Sequence, residues 1–148
     1  MKMKRILFII SAVLLLASCG REKGKEKTTA DYLYGEWHST SISVSGDVYL
    51  SFTDDMKFEM FQKIGDGAYR LYRGTWNVEG DLLTGKYNDG EDWAAAYTIT
   101  VDDKSLTMTS VDTAAEKSTY DRTEIPESVR NNSETVVKCS GQNPQFTE

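Results

Sequence analysis

The residues able to do chemistry in this chain are few: two cysteines, Cys19 and Cys139, one histidine, His38, and carboxylates gathered mostly at turns. Cys19 has the clearest setting. Lys2, Lys4 and Arg5 form a positive head, an apolar stretch of twelve residues (6–17) follows, and small residues precede the cysteine, which is the layout of a secretory signal. The stretch falls short of the roughly 20 apolar residues that cross a hydrocarbon core as a helix, and Arg21, Glu22 and Lys23 close it off. The Cys19 thiol therefore reads as a lipid attachment site. With Cys19 alkylated no intrachain disulfide can form, and Cys139 is an odd thiol in an oxidising compartment, read as an unpaired residue of a loose C-terminal tail. His38 adjoins Trp37 and faces the opposite, outer side of its strand, and no serine sits in a nucleophile-elbow context. Carboxylates alone can form an acid–base pair, but nothing in their spacing selects two. The densest run, Asn88-Asp89-Gly90-Glu91-Asp92, lacks the alternate ligands and the twelfth-position Glu of a calcium loop and reads as a hairpin turn. The expectation is no catalytic residue, no metal and no cofactor, in a protein that is not an enzyme.

Leu16-Ala17-Ser18-Cys19 behind its apolar run resembles the lipobox of bacterial lipoproteins. That resemblance implies removal of residues 1–18 and acyl chains on both the sulfur and the amine of Cys19. Gly20 rather than Asp after the cysteine implies sorting to the outer membrane, with the periplasmic or surface face left open. Two or more chains anchor stably where one binds marginally. Charge does not assist: without residues 1–18 the chain carries 14 basic and 23 acidic residues, a net of minus 9. Phosphate backbones are bound by clustered Lys and Arg, so no nucleic acid partner is expected.

The elements that position everything else follow from periodicity. Residues 19–31 combine the modified cysteine with Gly, Lys, Glu, Arg and Thr in no apolar period, and read as a flexible tether. From 32 to 124, eight apolar-alternating runs (34–44, 47–53, 57–64, 68–78, 82–87, 92–101, 105–111 and 117–122) are separated by Gly, Asn and Asp turns about every ten residues. Val48, Leu50 and Phe52 share one face of the second run; Tyr49, Ser51 and Thr53 share the other. Short connections favour a meander, and eight twisted strands bury their edges best by closing. The fold class expected is all-β, an eight-stranded antiparallel up-and-down barrel with a short C-terminal helix or tail over 125–148. Pro126 opens that helix, and Val129, Val136, Val137 and Phe146 are its docking candidates.

Gly35-Glu36-Trp37 opens the first strand and Tyr120-Asp121-Arg122 closes the last, and in this the chain resembles the lipocalins, with their Gly-x-Trp signature and closing Arg. The stretch from Gly74-Thr75-Trp76 to Asp81-Leu82-Leu83, with Phe52-Thr53-Asp54-Asp55 before it, resembles the hairpins of small bacterial lipocalin-like lipoproteins. The resemblance implies that Trp37 plugs one end of the barrel and that Arg122 lies across it, both structural roles alongside Gly35.

An eight-stranded barrel of this size is either filled by side chains or holds one small ligand, and thirteen aromatics between Tyr34 and Arg122 suit both. If a pocket exists, its lining should be inward residues away from the plug: Phe58, Met60, Tyr72, Trp76, Tyr97 and Met108. Core packing is the plainer role for each. Two functions remain open, a binding module for a small apolar ligand, and an accessory subunit with a solid barrel that meets another envelope protein.

Overall fold

Period-two alternation becomes strands along most of the chain in a computed structural model that describes residues 24–42 and 46–136. The strands are β1 (Gly35–Ser41), β2 (Gly46–Phe52), β3 (Lys57–Ile64), β4 (Tyr69–Glu79), β5 (Leu82–Tyr87), β6 (Tyr97–Val101), β7 (Ser105–Ser110) and β8 (Lys117–Arg122). Each pairs antiparallel with its chain neighbours, and β8 returns to β1 with Arg122 opposite Trp37, closing the sheet into a barrel. The chain is thus an all-β, eight-stranded up-and-down barrel. Cys19, Cys139, Val137 and Phe146 lie outside the described residues.

Inward side chains fill the interior. Leu33, Trp37, Met60, Leu83 and Leu106 have no accessible surface, and Leu50, Phe52, Phe58, Tyr97, Ile99, Met108 and Tyr120 are almost as deeply buried. Burying each large apolar side chain contributes about 1.5–3 kcal/mol, so this layer dominates the folding energy. Gly85 shows how close the packing is: a Cβ there would lie 2.2 Å from Cε2 of Trp93. The indole occupies the space that a side chain at 85 would otherwise need.

Trp93 also explains where the expected sixth strand over 92–101 is shortened. Trp93 N–H donates to the Gly85 carbonyl at 2.9 Å, and its ring meets Phe58 edge-on at 4.9 Å. Inserting the indole takes residues 93–96 out of the ladder, and β6 begins only at Tyr97.

Two elements differ from the sequence reading, and one follows it. Helix α1 (Thr29–Leu33) lies within and just beyond the expected tether. Thr28 and Asp31 form a capping box there, the Asp31 carboxylate accepting Thr28 N–H at 2.7 Å, and Leu33 is drawn into the core. Helix α2 (Glu127–Asn131) follows Pro126 as expected, with Val129 buried. Strand β9 (Ser133–Thr135) was not anticipated; it adds to β4 in parallel, Tyr69 to Leu71 opposite Ser133 to Thr135. Too few residues for a visible alternation separate it from the helix.

The C-terminal segment gives β2 its second buried face. Tyr49, Phe61 and Leu71, on the outer surface of β2, β3 and β4, form a satellite cluster with Ile125 and Val129. Arg130 lies over the Phe61 ring at 5.6 Å and pairs with both Glu36 and Glu59. Tyr49 and Ser51, on the face opposite Val48, Leu50 and Phe52, are therefore buried as well.

Two aspartates close turns by accepting neighbouring donors. Asp102 accepts Lys104 and Ser105 N–H, each at 2.7 Å, and Asp112 accepts from the Ser110 hydroxyl and from Ala114 and Ala115 N–H. Backbone donors hold Asp102, and chiefly the Ser110 hydroxyl holds Asp112, below the ordinary 3.8. A depressed folded-state value means that the stabilisation is complete above 3.8 and is lost as pH falls through the folded-state value. Thermal melts should therefore show Tm falling as pH drops below about 4, with a shallower fall in the Asp102→Asn/Asp112→Asn double variant. Equal slopes for the two proteins would refute the assignment.

Candidate functional site

Alternation and register divide the barrel into two ends. At one end, α1 and the start of β1 bring Leu33 and Trp37 across the opening. Trp37 Nε1–H donates to the Leu33 carbonyl at 2.9 Å, and the Arg122 guanidinium carbon stands 4.1 Å from the Trp37 ring centroid. Arg122 also donates from Nε to the Asp103 carbonyl (2.8 Å), from Nη1 to Tyr34 (2.7 Å) and from Nη2 to Tyr32 (2.6 Å). Gly35 is required beneath it: its φ is +125°, and a Cβ there would lie 2.3 Å from Arg122 Nη1. Trp37 is thus fully buried across this end, with the Arg122 guanidinium over its ring face. An Arg122→Ala variant should lose about 1–3 kcal/mol in urea unfolding, a discounted value because the side chain is partly solvated. Lys should not restore it, since one ammonium on a flexible stem cannot span three carbonyls as a planar guanidinium does.

Of the six lining candidates, Trp76 sits at the plugged end instead of away from it. Its ring meets Phe52 at 5.5 Å and Tyr34 at 5.8 Å, and its Nε1–H donates to the Lys57 carbonyl at 3.1 Å. Alternation assigned the correct face of β4 but carries no information on height along the barrel. Tyr72, four residues earlier on that face, lies about 13 Å away along the strand, toward the other end. Phe58, Met60, Tyr97 and Met108 are brought together in the packed interior. Of the six, Tyr72 lines a recess.

That recess, of about 160 Å³, lies at the open end, between Tyr72 and Arg73 of β4, the turn at Tyr87, Asn88 and Asp89, and Thr135 and Val136 of the C-terminal segment. Tyr72 and Tyr87 rings stand 6.2 Å apart, edge to face. Burial first, then the neighbouring Tyr72 and Asp89, pushes the Tyr87 phenol well above its ordinary 10, so it remains a neutral hydroxyl. The charged rim is already engaged: Arg73 Nε–H bonds Glu59 at 2.8 Å, and Asp89 accepts Glu91 N–H at 3.0 Å. An aromatic floor beneath a rim whose arginine is paired can hold a small, mostly apolar molecule. Tyr87 was missed in the sequence, although Leu83, Gly85 and Tyr87 alternate on one face of their run; Val136 was expected to dock and does.

A larger cleft of about 580 Å³ is lined by Glu36, Arg122, Thr123, Glu124, Ile125 and Arg130. Its arginines are committed to backbone carbonyls and to Glu36 and Glu59, and Glu36 in turn accepts Ile125 N–H, so it is structural. His38 faces outward, stacked on Tyr49 at 4.2 Å, with Nε2 2.6 Å from Asp47 Oδ1 and the Tyr69 hydroxyl on the other Asp47 oxygen. Among the described residues there is no group of three or more His, Cys, Asp or Glu side chains able to hold a metal.

A closed eight-stranded meander plugged by an indole and crossed by an arginine is the architecture of the lipocalin-like proteins. The family model described as "Lipocalin-like domain" matches residues 33–108, and the chain belongs to that family. The match ends in β7; the closing strand, with Arg122, lies beyond it. A second model, the prokaryotic membrane lipoprotein lipid attachment site, matches residues 3–19, and the protein is accordingly a lipid-anchored lipoprotein of the cell envelope. No curated protein and no solved structure matches the chain.

Proposed function

We propose that this membrane-anchored lipocalin-like lipoprotein is a non-enzymatic binding module for a small apolar ligand about one ring in size, taken up at the barrel mouth. The observation that carries this reading is the 160 Å³ recess over Tyr72 and Tyr87, at the end opposite the Trp37 plug. A cavity of roughly 150 Å³ is enough for a benzene-sized guest, and it is well below the roughly 300 Å³ or more of larger ligand sites. Tyr72 contacts the ligand in this reading; Phe58, Met60, Tyr97 and Met108 back the site without touching it, and Trp76 belongs to the plug. Residues 1–18 are the removed signal, and Gly20 after Cys19 favours the outer membrane.

The test uses the full chain with Cys19→Ser, titrated with an ANS-type dye and then with neutral single-ring compounds as competitors. Saturable binding with one site per barrel, displaced by the ring compounds, is the expected result. Absence of saturable binding would overturn it. The tightly filled interior favours the second reading in that event, an accessory subunit whose solid barrel meets another envelope protein.

A further inference from the structure

We infer that residues 134–136 form a lid on the mouth recess, which opens by unzipping from β4 about a pivot just after Ser133. The ligand that the lid admits rests on the proposed binding function; the movement rests on the geometry alone.

The first step is the length of β4. It has eleven residues, and β5 pairs only with its second half, from Gly74 to Glu79. Over Tyr69 to Leu71 the edge on the β5 side is left open, and an uncovered edge is a row of unpaired donors and acceptors that accepts another strand. Strand β9 fills it, and Val136 N–H continues the ladder by donating to the Leu71 carbonyl at 2.9 Å.

The second step is the contrast in anchoring on the two sides of Ser133. Before it, Ile125 and Val129 are buried, Arg130 pairs with Glu36 and Glu59, and the Asn132 amide and Ser133 hydroxyl tie back to the Ser128 and Arg130 carbonyls at 2.8 and 3.2 Å. After it, Glu134 and Thr135 are exposed and Val136 is half-buried, so among the described residues backbone bonds to three residues of β4 and one valine carry the attachment. Segments with few buried apolar contacts open at lower free energy than the body they rest on. Opening should therefore stop at Ser133 and leave α2 in place.

The third step is what opening exposes. Thr135 and Val136 form one wall of the recess, and the turn at Tyr87, Asn88 and Asp89 forms the other. Lifting the first wall uncovers Tyr72 and connects the recess to solvent along the β4 edge. With the lid down, the same wall covers an occupant.

Arg70 and Glu134 are opposed in register and both exposed, so cysteines at these positions can clamp the lid without disturbing the core. In a Cys19→Ser/Cys139→Ser chain carrying Arg70→Cys and Glu134→Cys, the oxidised form should take up the dye at least tenfold more slowly than the reduced form, with the rate restored by reductant. Val136→Asp should move the rate the other way, which keeps the idea testable if the clamp does not form. Independently of any ligand, the Val136 amide should exchange hydrogen at least tenfold faster than the Val129 amide of α2. Equal dye rates in both redox states, or a Val136 amide as protected as Val129, would overturn the lid. Fast exchange at Val136 with no dye binding in any form would leave the lid standing and remove the binding function.

Discussion

Replacing Trp37 with Ala should cost about 3–5 kcal/mol of stability in urea unfolding of the Cys19→Ser chain, the range measured for truncating large buried aromatics. Three losses coincide. The indole has no accessible surface, so its removal leaves a cavity at the plugged end. The Leu33 carbonyl, which accepts the indole N–H at 2.9 Å, is left without that donor, and the Arg122 guanidinium loses the ring face beneath it. Against the 5–15 kcal/mol that hold a typical domain together, this is a large fraction. Tm should fall by roughly 15 °C. Trp37→Phe is the informative companion: it keeps most of the packing and removes the N–H, and it should cost about 1–3 kcal/mol. If Trp37→Ala melts like the parent chain, the plug is not what holds α1 to the barrel.

The second large effect concerns location. Wild-type protein should sediment entirely with membranes and remain there through high salt, whereas Cys19→Ser should appear in the soluble fraction. The residues matched by the lipid attachment model end at Cys19, and at net minus 9 without its signal the chain has no charge-based affinity for an anionic lipid surface. Acyl chains contribute roughly 0.8 kcal/mol per buried methylene, a term that salt does not screen. Fractionation by ultracentrifugation checks this; a Cys19→Ser protein that still pellets would mean another anchor exists. Among the described residues, α1 enters the barrel at the Trp37 end, opposite the recess.

Much of this protein was legible from local pattern. Val48, Leu50 and Phe52 announced an inward face, and the strong punctuation at Gly65-Asp66-Gly67 and Asn88-Asp89-Gly90 separated the strands, because turn chemistry and period-two alternation are properties of a few adjacent residues. Gly35, Trp37 and Arg122 were assigned by resemblance, and the register of β1 against β8 sets Arg122 opposite Trp37. The Thr28–Asp31 capping box is also present in the sequence, but five residues of helix hold no period that would mark the element.

What only the tertiary structure decided depends on distances that alternation does not encode. It put Trp76 beside the plug and Tyr72 at the mouth, though both occupy one face of one strand. It turned Tyr49, Phe61 and Leu71 from an outer surface into the seat of α2, and it drove Trp93 into the space left by Gly85. It also made residues 133–135 into the strand that covers the end of β4. Sequence determines which side of a strand a residue faces, since neighbouring Cβ atoms must point in opposite directions. How high it sits, what covers it and how much space remains are set by how the closed sheet packs against itself and against the segments that follow it.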